Sequence, residues 1–152
     1  MTDDTTLEDQ ELAELRAKRA AIAERRARFA EQCAKRDRLE AERRQVADED
    51  AIARLEEEHG PIDKVIGVVY TDLGAVVVRR AKPPAYKRFN EAITRDNAKQ
   101  FELSEQLVIP CLLYPTREAF AVMTEAQPFT MIRCANAIST LAGVRMQEVA
   151  GK

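Results

Sequence analysis

The sequence predicts a mainly α protein: a long charged N-terminal helix or helical hairpin of coiled-coil type, one small β-hairpin, and a compact C-terminal helical bundle. Three observations carry this. Residues 7–58 contain no Gly and no Pro and are dominated by Ala, Glu, Arg, Lys, Leu and Gln, the strong helix formers. Residues 65–78 hold two β-branched runs around a turn. Residues 83–150 return to apolar residues at helical spacing, with prolines where helices can start. A chain of 152 residues accommodates one domain, or a small domain with an extension. Aromatics are only 5% and Trp is absent, so the core is built from small and aliphatic side chains.

Residues 1–6 are polar, acidic and terminal, and are expected to form a disordered tail. The long helix is expected over 7–58. His59-Gly60-Pro61 stops it, because Gly60 suits a positive φ after the last turn and Pro61 cannot continue a helix. A straight helix of about 50 residues spans roughly 75 Å; a break near Ala47–Asp50 would fold it into a hairpin instead. Leu15, Ile22 and Phe29 fall seven apart, with Leu12 three residues earlier, and Leu39, Val46 and Ala53 also fall seven apart. The step from Phe29 to Leu39 is ten, a stammer-like phase shift, so a single unbroken heptad seam is not expected. Arg19 and Arg26 stand where a strong coiled coil is apolar. The seam is therefore thin, and a polar helix of this kind is marginal alone. Leu12, Leu15, Ile22, Phe29, Leu39 and Val46 are the candidate partner-binding residues. What covers them is the helix folded back, a second copy, or another protein; a solvated spacer helix is the remaining alternative.

Val65–Tyr70 and Ala75–Val78 read as the strands of a hairpin within 62–80, joined by Thr71-Asp72-Leu73-Gly74. Two strands are marginal alone, so the hairpin must pack on helices or enter a larger sheet, and its free edges are candidate assembly surfaces. The helical domain, 83–150, opens at Pro83-Pro84, with Tyr86, Phe89 and Ile93 on one face. Pro110 is expected to kink or end a helix carrying Leu107 and Val108. Thr116 is the expected N-cap of a short helix through Phe120 and Met123. Pro128 is expected to begin a last helix, which Gly143 ends or bends. Phe89, Ile93, Leu107, Leu112, Phe120, Ile132, Ile138 and Leu141 are the expected core.

Charge is uneven. Residues 1–58 hold 12 Lys/Arg against 17 Asp/Glu, and residues 59–152 hold 12 against 9. Arg79, Arg80, Lys82, Lys87 and Arg88 form a basic cluster. It is either a solvated edge or a patch that steers an acidic partner; nucleic acid is the less favoured partner, because only Tyr86 is interleaved for stacking. No apolar run is long enough to span a bilayer, and the acidic first residues lack the apolar stretch of a signal peptide. Cys33, Cys111 and Cys134 are odd in number and widely spaced, which favours reduced thiols and a cytoplasmic protein. The single histidine, His59, sits at a helix end. Ser104 and Ser139 lie in no nucleophile turn, and no Gly-rich phosphate loop or paired Cys/His spacing is present. The expectation is a non-enzymatic protein with no catalytic residues, no cofactor and no metal.

Three segments together resemble a known family: Val76-Val77-Val78-Arg79-Arg80-Ala81-Lys82-Pro83-Pro84-Ala85-Tyr86-Lys87-Arg88-Phe89, then Leu107-Val108-Ile109-Pro110-Cys111-Leu112-Leu113-Tyr114-Pro115, then Gln127-Pro128-Phe129 through Ala135-Asn136-Ala137-Ile138 to Leu141-Ala142-Gly143. From Val65 to Gly143 the chain resembles the tail assembly chaperones of long-tailed bacteriophages and prophages. The long helix at 7–58 and the interrupting Pro110 depart from the simplest form of that pattern. The resemblance implies a viral protein that self-assembles in the host cytoplasm. It would bind a long helical client, the tape-measure protein, and keep it soluble before the tail tube polymerises. The alternative is a coiled-coil adaptor or small phage structural protein that oligomerises through its N-terminal helix.

Overall fold

The computed structural model describes the backbone of residues 2–150 and the side chains of residues 6–143. Helix takes 78% of the protein, so the mainly α class holds. Two compact units divide inside the first helix, Met1–Arg44 and Gln45–Lys152. Of the expected tail, Met1 lies outside the described residues, and residues 2–5 are described only as backbone of that helix.

Helix α1 runs unbroken over Thr2–His59, so the chain does not turn back at Ala47–Asp50. Nothing there interrupts a helix: the segment has neither Gly nor Pro, and Gln45 donates to Glu49 one turn on. The stop is the expected one. Gly60 has φ +130°, and its N–H donates to the Glu56 carbonyl at 2.9 Å. A Cβ on Gly60 would also lie 2.8 Å from Val65 Cγ2. Glycine is therefore required there twice over, by conformation and by space.

In the second unit, β1 (Ile66–Thr71) and β2 (Gly74–Arg79) form the expected hairpin, in register Thr71 to Gly74 and Ile66 to Arg79. The Thr71 hydroxyl donates to the Gly74 carbonyl at 2.7 Å and accepts from the Leu73 N–H at 3.2 Å, which fixes the two-residue turn. A third strand, β3 (Leu112–Tyr114), pairs antiparallel with the other side of β2, giving the order β1-β2-β3. The hairpin thus finds its partner strand within its own chain.

Both faces of this sheet are covered. Val69, Val76 and Val78 face a core with Leu107, Val108, Phe120, Met123, Cys134 and Ile138. Ile66, Ala75 and Val77 face Ile52 and Leu55 of α1. This explains why residues 75–78 are apolar without alternation: each side of the pleat meets a helix. Gly67 lets α5 (Phe129–Ala150) come close, since a Cβ there would sit 3.5 Å from Leu141 and 3.6 Å from Ala137.

The remaining helices are α2 (Pro83–Arg95), α3 (Gln100–Val108) and α4 (Arg117–Ala126). The polar stretch after Thr94 breaks the chain at Asp96, whose side chain accepts from the Ala98 N–H. Pro110 ends α3 through a short 3-10 turn, Ile109–Cys111, and hands the chain to β3. Thr116 caps α4 by accepting from the Ala119 N–H at 3.3 Å. Leu107, Phe120, Ile132, Ile138 and Leu141 are buried as expected, whereas Phe89, Ile93 and Leu112 are half-buried. The two on α2 stay at its edge because that helix has no buried residue at all. One expectation is corrected in part: α5 does not end at Gly143 but continues through it. That position is exposed with nothing within 4 Å of a built Cβ, so only the modest helix-propensity cost of glycine acts there. Among the described residues no helix is long and apolar enough to cross a membrane.

Candidate partner-binding surfaces

The first surface is on α1. Leu7, Leu12, Leu15, Ile22, Phe29 and Leu39 are between 48% and 67% exposed, although all are large and apolar. Seven-residue spacing keeps Leu15, Ile22 and Phe29 on one stripe, and no described side chain of the first unit stands opposite to cover it. Charges flank the stripe on both sides. Among the described residues Glu24 pairs with Arg28 at 2.6 Å and Glu31 with Lys35 at 3.5 Å. Arg16, Lys18, Arg19, Arg25 and Arg26 keep no carboxylate partner among the described residues. Val46 belongs to the second unit and is also exposed, even though Ala51, Ile52 and Leu55 close by are buried against the sheet.

The basic cluster lies between β2 and the first turns of α2, and the structure gives its members different work. Arg79 donates to the Pro110 carbonyl at 2.9 Å, tying β2 to the turn after α3. Arg88 donates to the Pro84 carbonyl within its own helix. Arg80 is half-buried, and its Nε is buried with no hydrogen-bond partner among the described residues. Lys82 and Lys87 are exposed. Arg79 thus straps β2 to the turn while staying exposed, and Lys82, Lys87 and Arg88 are the other exposed charges of the cluster.

Two grooves were not anticipated. One, of about 280 Å³, lies between α2 and α3 and is lined by Ala85, Phe89, Ala92, Leu103, Leu107 and Arg88. The other, of about 290 Å³, lies among α3, α4 and α5 and is lined by Phe101, Met131, Glu102, Glu105 and Glu125. Phe101, Val122 and Phe129 are 49% to 66% exposed. The signal available in the sequence was an aromatic followed by Glu one and four residues later, which is common on any helix.

Asp48 is the polar residue that the spacing arguments missed. Its carboxylate accepts from the Ala75 N–H at 3.0 Å and from the Tyr114 hydroxyl at 2.6 Å. One side chain of α1 therefore holds β2 and β3 together. Burial first, and then the hydrogen bond to Asp48, push the Tyr114 hydroxyl up to about 12.

The thiols of Cys111 and Cys134 are buried, as the apolar context implied, and Cys33 on α1 is half-buried. Burial raises Cys111, opposed by the Arg79 charge, and pushes Cys134 up to about 12, so neither core thiol is a nucleophile near neutral pH. His59 sits in the last turn of α1, 3.9 Å from a Glu58 carboxylate oxygen. Among the described residues no three His, Cys, Asp or Glu side chains are grouped to hold a metal ion. No protein-family model, curated protein or solved structure matches this chain.

Proposed function

We propose that this chain is a non-enzymatic assembly protein that binds a helical client, of the kind that phage tail assembly chaperones provide for the tape-measure protein. The observation that carries the reading is the uncovered apolar stripe of α1, Leu12 to Leu39, beside unpaired arginines. Burying such residues removes apolar surface from water at roughly 25 cal/mol per Å², so a passing amphipathic helix gains by lying along them. The stripe is thin, and arginine interrupts it at Arg19 and Arg26. Binding of that kind is reversible, as holding and then releasing a client requires. Lys82, Lys87 and Arg88 add attraction toward acidic stretches, so client binding weakens as salt rises.

The test is a refolding assay with a candidate tape-measure protein as client. The client is diluted from denaturant with and without the folded protein, and turbidity is followed. Suppression at a few-fold molar excess, reduced by high salt, is the expected result. Unchanged turbidity at that excess rejects the client reading and leaves the coiled-coil adaptor in its place.

A further inference from the structure

The charge along α1 is segmented in a way that specifies what covers the stripe when no client is present. Residues 7–14 hold four acids, Glu8, Asp9, Glu11 and Glu14, and no base. Residues 15–29 hold six bases and one acid, Glu24, and that acid is already paired with Arg28. A parallel pair of α1 helices in register would set Arg19 on Arg19 and Arg26 on Arg26 along the seam, with the basic flanks side by side. Like charges at seam and flank positions oppose that arrangement.

An antiparallel pair relieves the clash at Arg19 and Arg26 and leaves like charges close only at its centre, where Arg16 of each copy comes near Lys18 of the other. We infer that two copies associate through residues 7–29 of α1, antiparallel, in the register that sets Leu12 of each copy against Ile22 of the other. The same register brings Glu8 against Arg26 and Glu11 beside Arg25, each twice by symmetry. Leu15 meets Arg19, whose aliphatic stem lies on the leucine while its guanidinium reaches water. The facing pairs follow from one number, because their positions sum to 34, and Glu11 and Arg25, which sum to 36, are flanking neighbours in the same register. The heptad phase agrees: Leu12, Arg19 and Arg26 are seven apart, as are Glu8, Leu15 and Ile22, and antiparallel packing places one set against the other. The inference rests on the stripe being a partner-binding face, and it names a resting occupant: a second copy, held by complementary charge and displaced when a client engages.

The register also separates the natural cysteines. Each Cys33 lies 16 residues from the centre of the pair, so the two thiols stand about 50 Å apart at 1.5 Å per residue. A parallel pair would bring them together.

The experiment uses the full chain in sedimentation velocity across a hundred-fold concentration range. The parent is expected to shift from monomer to dimer, with the shift weakened at high salt, and to give no covalent dimer on mild oxidation. Glu8→Arg with Glu11→Arg should weaken dimerisation at least ten-fold, as should Arg25→Glu with Arg26→Glu. All four changes together should restore it. A monomer at every concentration, dimerisation unmoved by either pair of reversals, no recovery in the fourfold variant, or a Cys33 disulfide dimer would each overturn the proposal. The refolding assay keeps the two readings apart. A charge-reversed monomer that still suppresses turbidity leaves client binding standing, and a dimer that suppresses nothing overturns client binding alone.

Discussion

Two stretches of one helix make the most instructive contrast. Leu12, Leu15, Ile22 and Phe29 are 48% to 67% exposed, whereas Ile52 and Leu55, further along the same helix, are no more than 8% exposed. Residue type and secondary structure are the same in both. What differs is what the chain places opposite. Residues 45–59 have the hairpin, whose Ile66, Ala75 and Val77 present a second apolar face. Among the described residues, those of 6–44 meet no apolar face within their own unit. Amphipathicity records that a helix has a face to bury, not that its own chain will bury it.

The largest expected effect falls in the second unit. Phe120 is 1% exposed and touches the main core, so Phe120→Ala should cost about 3–5 kcal/mol in urea unfolding. Phe29→Ala, the same chemistry on the stripe, should change unfolding by no more than about 0.5 kcal/mol. Equal losses at the two sites would break the contrast.

Asp48→Ala should come next. It leaves the Ala75 N–H and the Tyr114 hydroxyl without their acceptor, which costs about 1–3 kcal/mol. Thermal unfolding at neutral pH measures it. A third effect appears only in alkali. The Tyr114 hydroxyl titrates near 12 in the folded chain and near 10 when free, so the folded state holds this proton more tightly. Its contribution is complete below pH 10 and fades as pH rises from 10 through 12. Unfolding curves across that window should show the decline in the parent and a smaller one in Tyr114→Phe.

The smallest effect on stability is expected where the effect on association is greatest. Ile22→Asp and Phe29→Asp should leave the near-ultraviolet signature and unfolding of residues 62–150 unchanged, because that core does not include them. Light scattering and client pull-down should both register the loss. Variants that behave like the parent in both would make this stretch of α1 a spacer.

Much of this architecture was legible because it follows from local rules. Gly60-Pro61, Thr116 and Pro110 each act within one turn, and the chain does at each what short-range chemistry dictates. What could not be read depends on contacts across the sequence. Leu112–Tyr114 carries no strand signal in three residues flanked by prolines, and it becomes β3 only because β2 offers an open side. Asp48 sits among other acids on a charged helix, and nothing nearby distinguishes it from Glu49 or Asp50. Its role depends on Tyr114, sixty-six residues later. Gly143 misled in the opposite direction, since glycine permits a helix end without requiring one. Of the candidate surfaces, the α1 stripe was visible as periodicity. The acidic-rimmed groove at Phe101 was not, because it needs three helices to meet.

Arg133 and Asp48 also decide how copies of this protein do not join. In the hairpin register, Tyr70 and Ala75 form a pair whose backbone groups point away from each other, toward the two sides of the ribbon. Arg133 donates to the Tyr70 carbonyl at 2.8 Å on one side, and Asp48 accepts from the Ala75 N–H on the other. Beyond Asp48, β3 already occupies β2. Strand addition, the commonest route from a small sheet to a fibre, therefore meets an ionised side chain at both borders of the turn end. A protein with exposed leucines along one helix runs a standing risk of sticking to itself in disorderly ways. Placing a guanidinium and a carboxylate at those borders directs that stickiness toward side chains on helices, where contacts can be undone, and away from backbone ladders, where they accumulate.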